Sequence, residues 1–70
     1  MSSARTHGVV ADFDSAVGLG HVASEDGILR LFHCIEIADG TREIAVGVSV
    51  SFFAVQRFGY HEAADLRPIS

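Results

Sequence analysis

Seventy residues make one domain or none, since domains usually run to ~100–150 residues, and a chain of about this size buries only ~60% of its unfolded surface, which leaves little room for a deep active site. Hydrophobic residues make up 49% and charged residues 20%, a globular rather than a disordered composition. Nine acids against five basic residues, all of them Arg, give a net charge of −4, without the basic footprint of a general nucleic-acid binder, and the single Cys34 excludes an internally disulfide-stapled scaffold.

The chain is read as a single domain over residues 1–70, with its core about 6–67. Seven Gly and one Pro divide it into short runs rich in Val, Ile, Leu and Phe, a pattern that predicts an all-β barrel or sandwich. The first strand is predicted over about Thr6–Phe13, broken by Asp14-Ser15 and Gly18. The second covers about Leu19–Ser24, and Asp26-Gly27 then gives a strong hairpin signal. In the third, about Ile28–Cys34, alternation sets Leu29, Leu31 and His33 on one face against Ile28, Arg30 and Phe32 on the other. A short helical turn is expected near Ile35–Ala38, then a turn at Asp39-Gly40-Thr41. The fourth strand spans about Val48–Gln56, with Val48, Val50, Phe52 and Ala54 facing one way. The fifth runs about His61–Arg67. Pro68, with no N–H to donate, ends its ladder. Glu62, Ala63 and Ala64 favour helix, but so short a helix is marginal in water, and a five-stranded barrel needs that segment to close its edge.

Several of these pieces together resemble a cold-shock domain. Gly8-Val9-Val10-Ala11-Asp12-Phe13-Asp14 is similar to the family's G-x-V-K-W-F-N, and Gly18-Leu19-Gly20-His21-Val22 to its K-G-F-G-F-I. Phe32-His33 falls on its V-F-V-H-F, Ile44-x-x-Gly47-x-x-Val50-x-Phe52 on its L-x-x-G-x-x-V-x-F, and Ala63-Ala64-Asp65-Leu66 on its closing A-A-x-V. The resemblance covers about Gly8 to Leu66. It implies a five-stranded antiparallel OB-fold barrel, a class that binds oligonucleotides on its strand 2–3 face. It also implies single-stranded RNA or DNA as the partner, held by bases stacked on aromatic rings.

Most of those rings are gone. The family's Trp position is Asp12; its Phe positions are Leu19, His21, Leu31 and Cys34; its motif lysines are Ala11 and Val17. The framework positions Val10, Phe13, Gly18, Gly20, Val22, Phe32, Gly47, Val50 and Phe52 remain, and His33 alone keeps a binding residue. Three or four lost stacks at ~1–3 kcal/mol each remove most of a micromolar affinity of ~8 kcal/mol. The expected function is therefore weak single-strand binding.

The candidate nucleic-acid contacts are His21, His33, Leu19 and Leu31 on the face, with Arg57, Phe58 and Tyr60 around Gly59. His21 and His33 are expected on neighbouring strands of one face, where His can both stack and contact phosphate; the alternative is two solvated histidines. Arg57, Phe58 and Tyr60 either replace the lost platform, on the loop between strands four and five that OB folds use for ligands, or Phe58 and Tyr60 close the barrel mouth or cap the core. Arg30 and Arg42 extend that cluster only if the fold brings them to its side. Asp12 is a solvent-facing strand residue, or else it turns phosphate away and accepts hydrogen bonds. Phe53, next to the core residue Phe52, should face outward.

No metal site is expected. Adjacent His33 and Cys34 point to opposite faces of a regular strand, and Cys34 suits a small half-buried apolar position. No cofactor and no enzymatic activity are expected, because there is no Lys, no phosphate loop and no spaced triad. The second functional reading is a barrel whose face has become a protein-binding or homodimer surface, on the motive of Asp12, Leu19, Leu31 and Cys34 in place of rings. Met1 to His7 carries no apolar leader core and no stretch approaches the ~20 apolar residues that cross a bilayer, so a cytoplasmic protein with no membrane partner is expected.

Overall fold

The computed structural model describes residues 4–38 and 40–69. Five strands form: β1 (Thr6–Asp14), β2 (Leu19–Ser24), β3 (Leu29–His33), β4 (Ser49–Arg57) and β5 (Tyr60–Pro68). They close into an all-β barrel in the order β1-β2-β3-β5-β4. A single 3-10 turn, Cys34–Glu36, leaves β3, one residue earlier than the expected helical turn. Of the turn expected at Asp39-Gly40-Thr41, Asp39 lies outside the described residues; Gly40 has a left-handed φ of 77°. No helix among the described residues is long and apolar enough to cross a membrane.

The barrel is not purely antiparallel. Four of its pairings are antiparallel, but β3 and β5 run parallel, with Leu31 beside Glu62 and a further parallel bridge from Ile37 to Leu66. The reason is topological: strand direction cannot alternate all the way around a closed ring of five, so one neighbouring pair must run parallel.

Two bulges decide which side chains meet the core. Val10 and Phe13 are three apart, and strict alternation puts them on opposite faces. The β1–β2 register shifts between Val10 and Asp12, with Ala11 the extra residue, so Phe13 turns inward and Asp12 outward. Phe13 then stacks on buried Phe32, with centroids 5.7 Å apart and planes 3° from parallel. Gly20, opposite Phe13, leaves the space this needs: a Cβ there would stand 2.6 Å from the Asp12 carbonyl oxygen and 2.6 Å from the Phe32 ring. In the second bulge, Ser51 to Phe53 on β4 faces Arg67 to Ala64 on β5, and Asp65 takes a left-handed φ of 53°.

The core comprises Val10, Val22, Phe32, Ile37, Val50, Phe52, Ala63 and Leu66, with Phe13, Cys34, Ile44 and Val48 packed against it. Burying a side chain of the Val, Leu or Phe type stabilises the fold by about 1.5–3 kcal/mol relative to leaving it exposed. Ala54 does not join the core, although it alternates with Val50 and Phe52. It is exposed because β1 pairs with β4 only as far as Phe52, and beyond that the β4–β5 hairpin extends past the closed part of the barrel. Residues 61–66 are strand rather than helix, and the ladder runs one residue beyond Pro68, whose successor Ile69 donates its N–H to the Ser49 carbonyl at 2.8 Å.

Candidate nucleic-acid interface

The outer surface of β1, β2, β3 and β5 is built from cross-strand rows, because residues directly opposite on neighbouring strands share a face. One row carries Asp14, Leu19 and His33; the next carries Asp12, His21, Leu31 and Glu62, continuing to Val55 on β4. The four face residues expected from sequence are thus brought together, with His21 and His33 diagonal across β2 and β3. His33 is exposed, while Leu19, His21 and Leu31 are half-buried.

Asp12 faces solvent, as one reading of the sequence had it, and it has a partner. Its Oδ1 lies 2.9 Å from His21 Nδ1, on the position directly opposite in the ladder. That contact occupies one ring nitrogen of His21 and leaves the other as its only polar atom toward a ligand. Asp14 also faces outward, and its Oδ1 accepts the Ala16 N–H at 3.0 Å in the turn that follows. Glu62 completes the acidic set and meets Arg57 at 3.8 Å. Asp14 and Glu62 were not foreseen as face residues. Glu62 becomes legible only once the turn is placed at Phe58-Gly59, which sets Arg57 opposite Tyr60 and Val55 opposite Glu62.

That turn is unusual. Two-residue hairpin loops with φ > 0 at both positions favour Asn-Gly or Asp-Gly; here Phe58 and Gly59 take φ of 50° and 82°. Phe58 is 99% exposed and Tyr60 67% exposed, so these rings neither close the barrel mouth nor cap the core, as one reading of the sequence had them. The hairpin carries them away from the closed barrel, with Arg57 on the Tyr60 side of the ladder.

Arg30 is withdrawn from any interface. It is 7% exposed, on the inward side of β3, where Nε donates to Ser24 Oγ at 3.0 Å and Nη2 reaches Asp26 Oδ2 at 3.2 Å. Asp26 also accepts the Ile28 N–H at 3.0 Å, so the Asp-Gly turn expected between β2 and β3 is closed by its own side chain. The hydrogen bond from the Ile28 N–H, above all, holds the Asp26 carboxyl below its usual range; desolvation opposes it, and the Arg30 guanidinium adds to the lowering. Arg42 is exposed at φ 60° in the loop before β4. Comparison with known proteins adds no relative: no family model matches the chain, and no curated protein matches it.

Proposed function

We propose that the protein is an OB-type barrel of the cold-shock kind that binds single-stranded RNA or DNA weakly, as a binding module and not as an enzyme. Arg57, Phe58 and Tyr60 make the main contact, and His33, His21, Leu19 and Leu31 form the adjoining surface. The observation that carries this reading is the Phe58 ring. It is 99% exposed on a left-handed residue, a position where a bulky side chain serves neither packing nor backbone. The strand order and the five motif pieces that resemble the family support it further.

Affinity follows from counting what remains. One or two exposed rings at ~1–3 kcal/mol per stacked base fall well short of the ~8 kcal/mol of a micromolar complex. Arg57 is the one arginine in these cross-strand rows, and Asp12, Asp14 and Glu62 oppose phosphate. Binding in the millimolar range with a shallow salt dependence is expected. The test is a titration of isotope-labelled protein with a short single-stranded pyrimidine oligonucleotide at low salt. Amide shifts at 57–61 and at Leu31–Cys34 support the reading; their absence at millimolar ligand removes it.

A second reading has its own observation. The Asp12–His21 pair and two further acids surround Leu19 and Leu31, an arrangement better suited to a protein partner than to a phosphate backbone.

A further inference from the structure

A third cross-strand row lies next to the Asp12–His21–Leu31 row, toward the other end of the same strands. It runs Ser49, Val9, Ala23, Leu29 across β4, β1, β2 and β3. Apart from the exposed Ser49, its side chains are apolar: Val9 is 42% and Leu29 56% exposed, and Ile69, tied by its N–H to Ser49, is 45% exposed. Three large apolar side chains in one row mark a contact surface in a way that one would not.

The row is split into a groove and a knob. A cavity of about 350 Å³ is lined by His7, Val9, Ala23, Glu25, Ser49 and Ile69, with Gly8 between. Leu29 does not line it; it stands beyond Ala23 at the other end of the row. His7 and Glu25 lie side by side across β1 and β2, the Glu25 N–H donating to the His7 carbonyl at 2.9 Å.

These positions are self-complementary. Consider a two-fold axis parallel to the strands, midway between β1 and β2. It exchanges the two halves of each row: Val9 meets Ala23 of a second copy, His7 meets Glu25, and Leu29 meets Ser49 and Ile69, where the groove is open. An isologous interface requires this reciprocity, each knob entering the other copy's groove. It also sets an imidazole against a carboxylate at both ends. We propose that the protein forms a weak homodimer through this row, with Leu29 of each copy seated in the groove of the other.

The small area sets the strength. A stable interface buries ~800 Å² per partner, close to a fifth of the 4416 Å² surface. One row and one groove amount to less, and the net charge of −4 on each copy opposes association. A dissociation constant in the range of about 0.1–1 mM is expected. The row borders His21 and Leu31 but excludes the Phe58 hairpin, so self-association is measured without oligonucleotide and does not depend on whether the hairpin binds one.

The experiment is sedimentation equilibrium from about 10 µM to about 2 mM protein, bracketing that constant, combined with isotope-filtered NOEs between labelled and unlabelled copies. The expected result is a mass rising from one chain toward two, with intermolecular NOEs from Leu29 methyls to Ile69. Leu29→Glu, at an exposed position that leaves the core intact, should weaken the dimer at least about tenfold. His7→Glu should weaken it by setting two carboxylates together, and the double variant His7→Glu, Glu25→Lys should restore it. A strictly monomeric mass up to 2 mM overturns the proposal. So does a dimer that Leu29→Glu leaves unchanged, which would place the contact elsewhere, or a groove whose NOEs come only from a different protein.

Discussion

Arg5 grips Asp65 from 60 residues away: its Nη1 lies 2.8 Å from Asp65 Oδ2, at the residue whose left-handed φ makes the β5 bulge. The same guanidinium donates through Nε to Ser51 Oγ at 2.8 Å and through Nη2 to the Ser51 carbonyl at 2.7 Å, and also to the Asp65 carbonyl. Its plane lies over the Phe53 ring, 4.7 Å from the centroid. From the other side the Asp65 N–H donates to Glu36 Oε1 at 3.0 Å. One arginine just ahead of β1 thus bridges both strands at the bulge.

Arg5→Ala should lower Tm by several degrees, more than an ordinary surface ion pair does, because the fork satisfies two backbone carbonyls as well as a carboxylate. Arg5→Lys should recover only part of the loss, since an ammonium cannot reproduce the fork. Thermal denaturation of both variants checks this; equal stability of all three proteins would show that the bulge holds without its clamp.

Acid should unfold the protein through the same group. The Asp65 carboxyl is held below its usual range, first by the Arg5 hydrogen bond and then by Arg67, and Asp26 is lowered likewise. A folded-state pKa below the unfolded one means stability that is complete above the ordinary carboxylate range and is lost as pH falls through the lowered values. Tm should therefore drop steeply on acidification below about pH 4. Asp65→Asn should be less stable at neutral pH and show a flatter acid limb; parallel curves would mean that Asp65 does not titrate against folding.

Phe58→Asn should separate function from stability. Asn tolerates the left-handed region where Phe is strained, and Phe58 buries nothing, so Tm should stay level or rise by an amount matching up to about 1 kcal/mol. Oligonucleotide-induced shifts should shrink severalfold in the same variant. A variant that binds as well as the parent would remove Phe58 from the interface.

Gly20→Ala should cost about 1–3 kcal/mol, as overpacking does, because the added methyl meets the Asp12 carbonyl and the Phe32 ring at 2.6 Å and one of these is backbone. Urea denaturation measures it. The Asp12–His21 contact should loosen too, since the methyl pushes directly on the residue that makes it, and the His21 ring resonances report that.

The strands themselves were legible because their signals are local. Alternating apolar residues and a turn pair such as Asp26-Gly27 act over a few residues, so β2 falls where its pattern ends and β1, β3 and β4 differ by a residue or so at their ends. Four face residues were legible for the same reason: two antiparallel strands joined by a short turn have one register, and it sets Leu19 opposite His33 and His21 opposite Leu31. Only the tertiary structure decided the rest. The parallel β3–β5 pair follows from closing an odd ring, and the inward turn of Phe13 from an extra residue at Ala11 that alternation does not announce. Arg30 is buried because Ser24 and Asp26 satisfy its guanidinium, while Phe58 and Tyr60 are exposed because their hairpin outruns β1. Arg5 acquired its role only when closure brought residues 5, 51 and 65 together. Periodicity encodes which side of a strand a residue occupies; what stands opposite it depends on contacts between segments far apart in the chain.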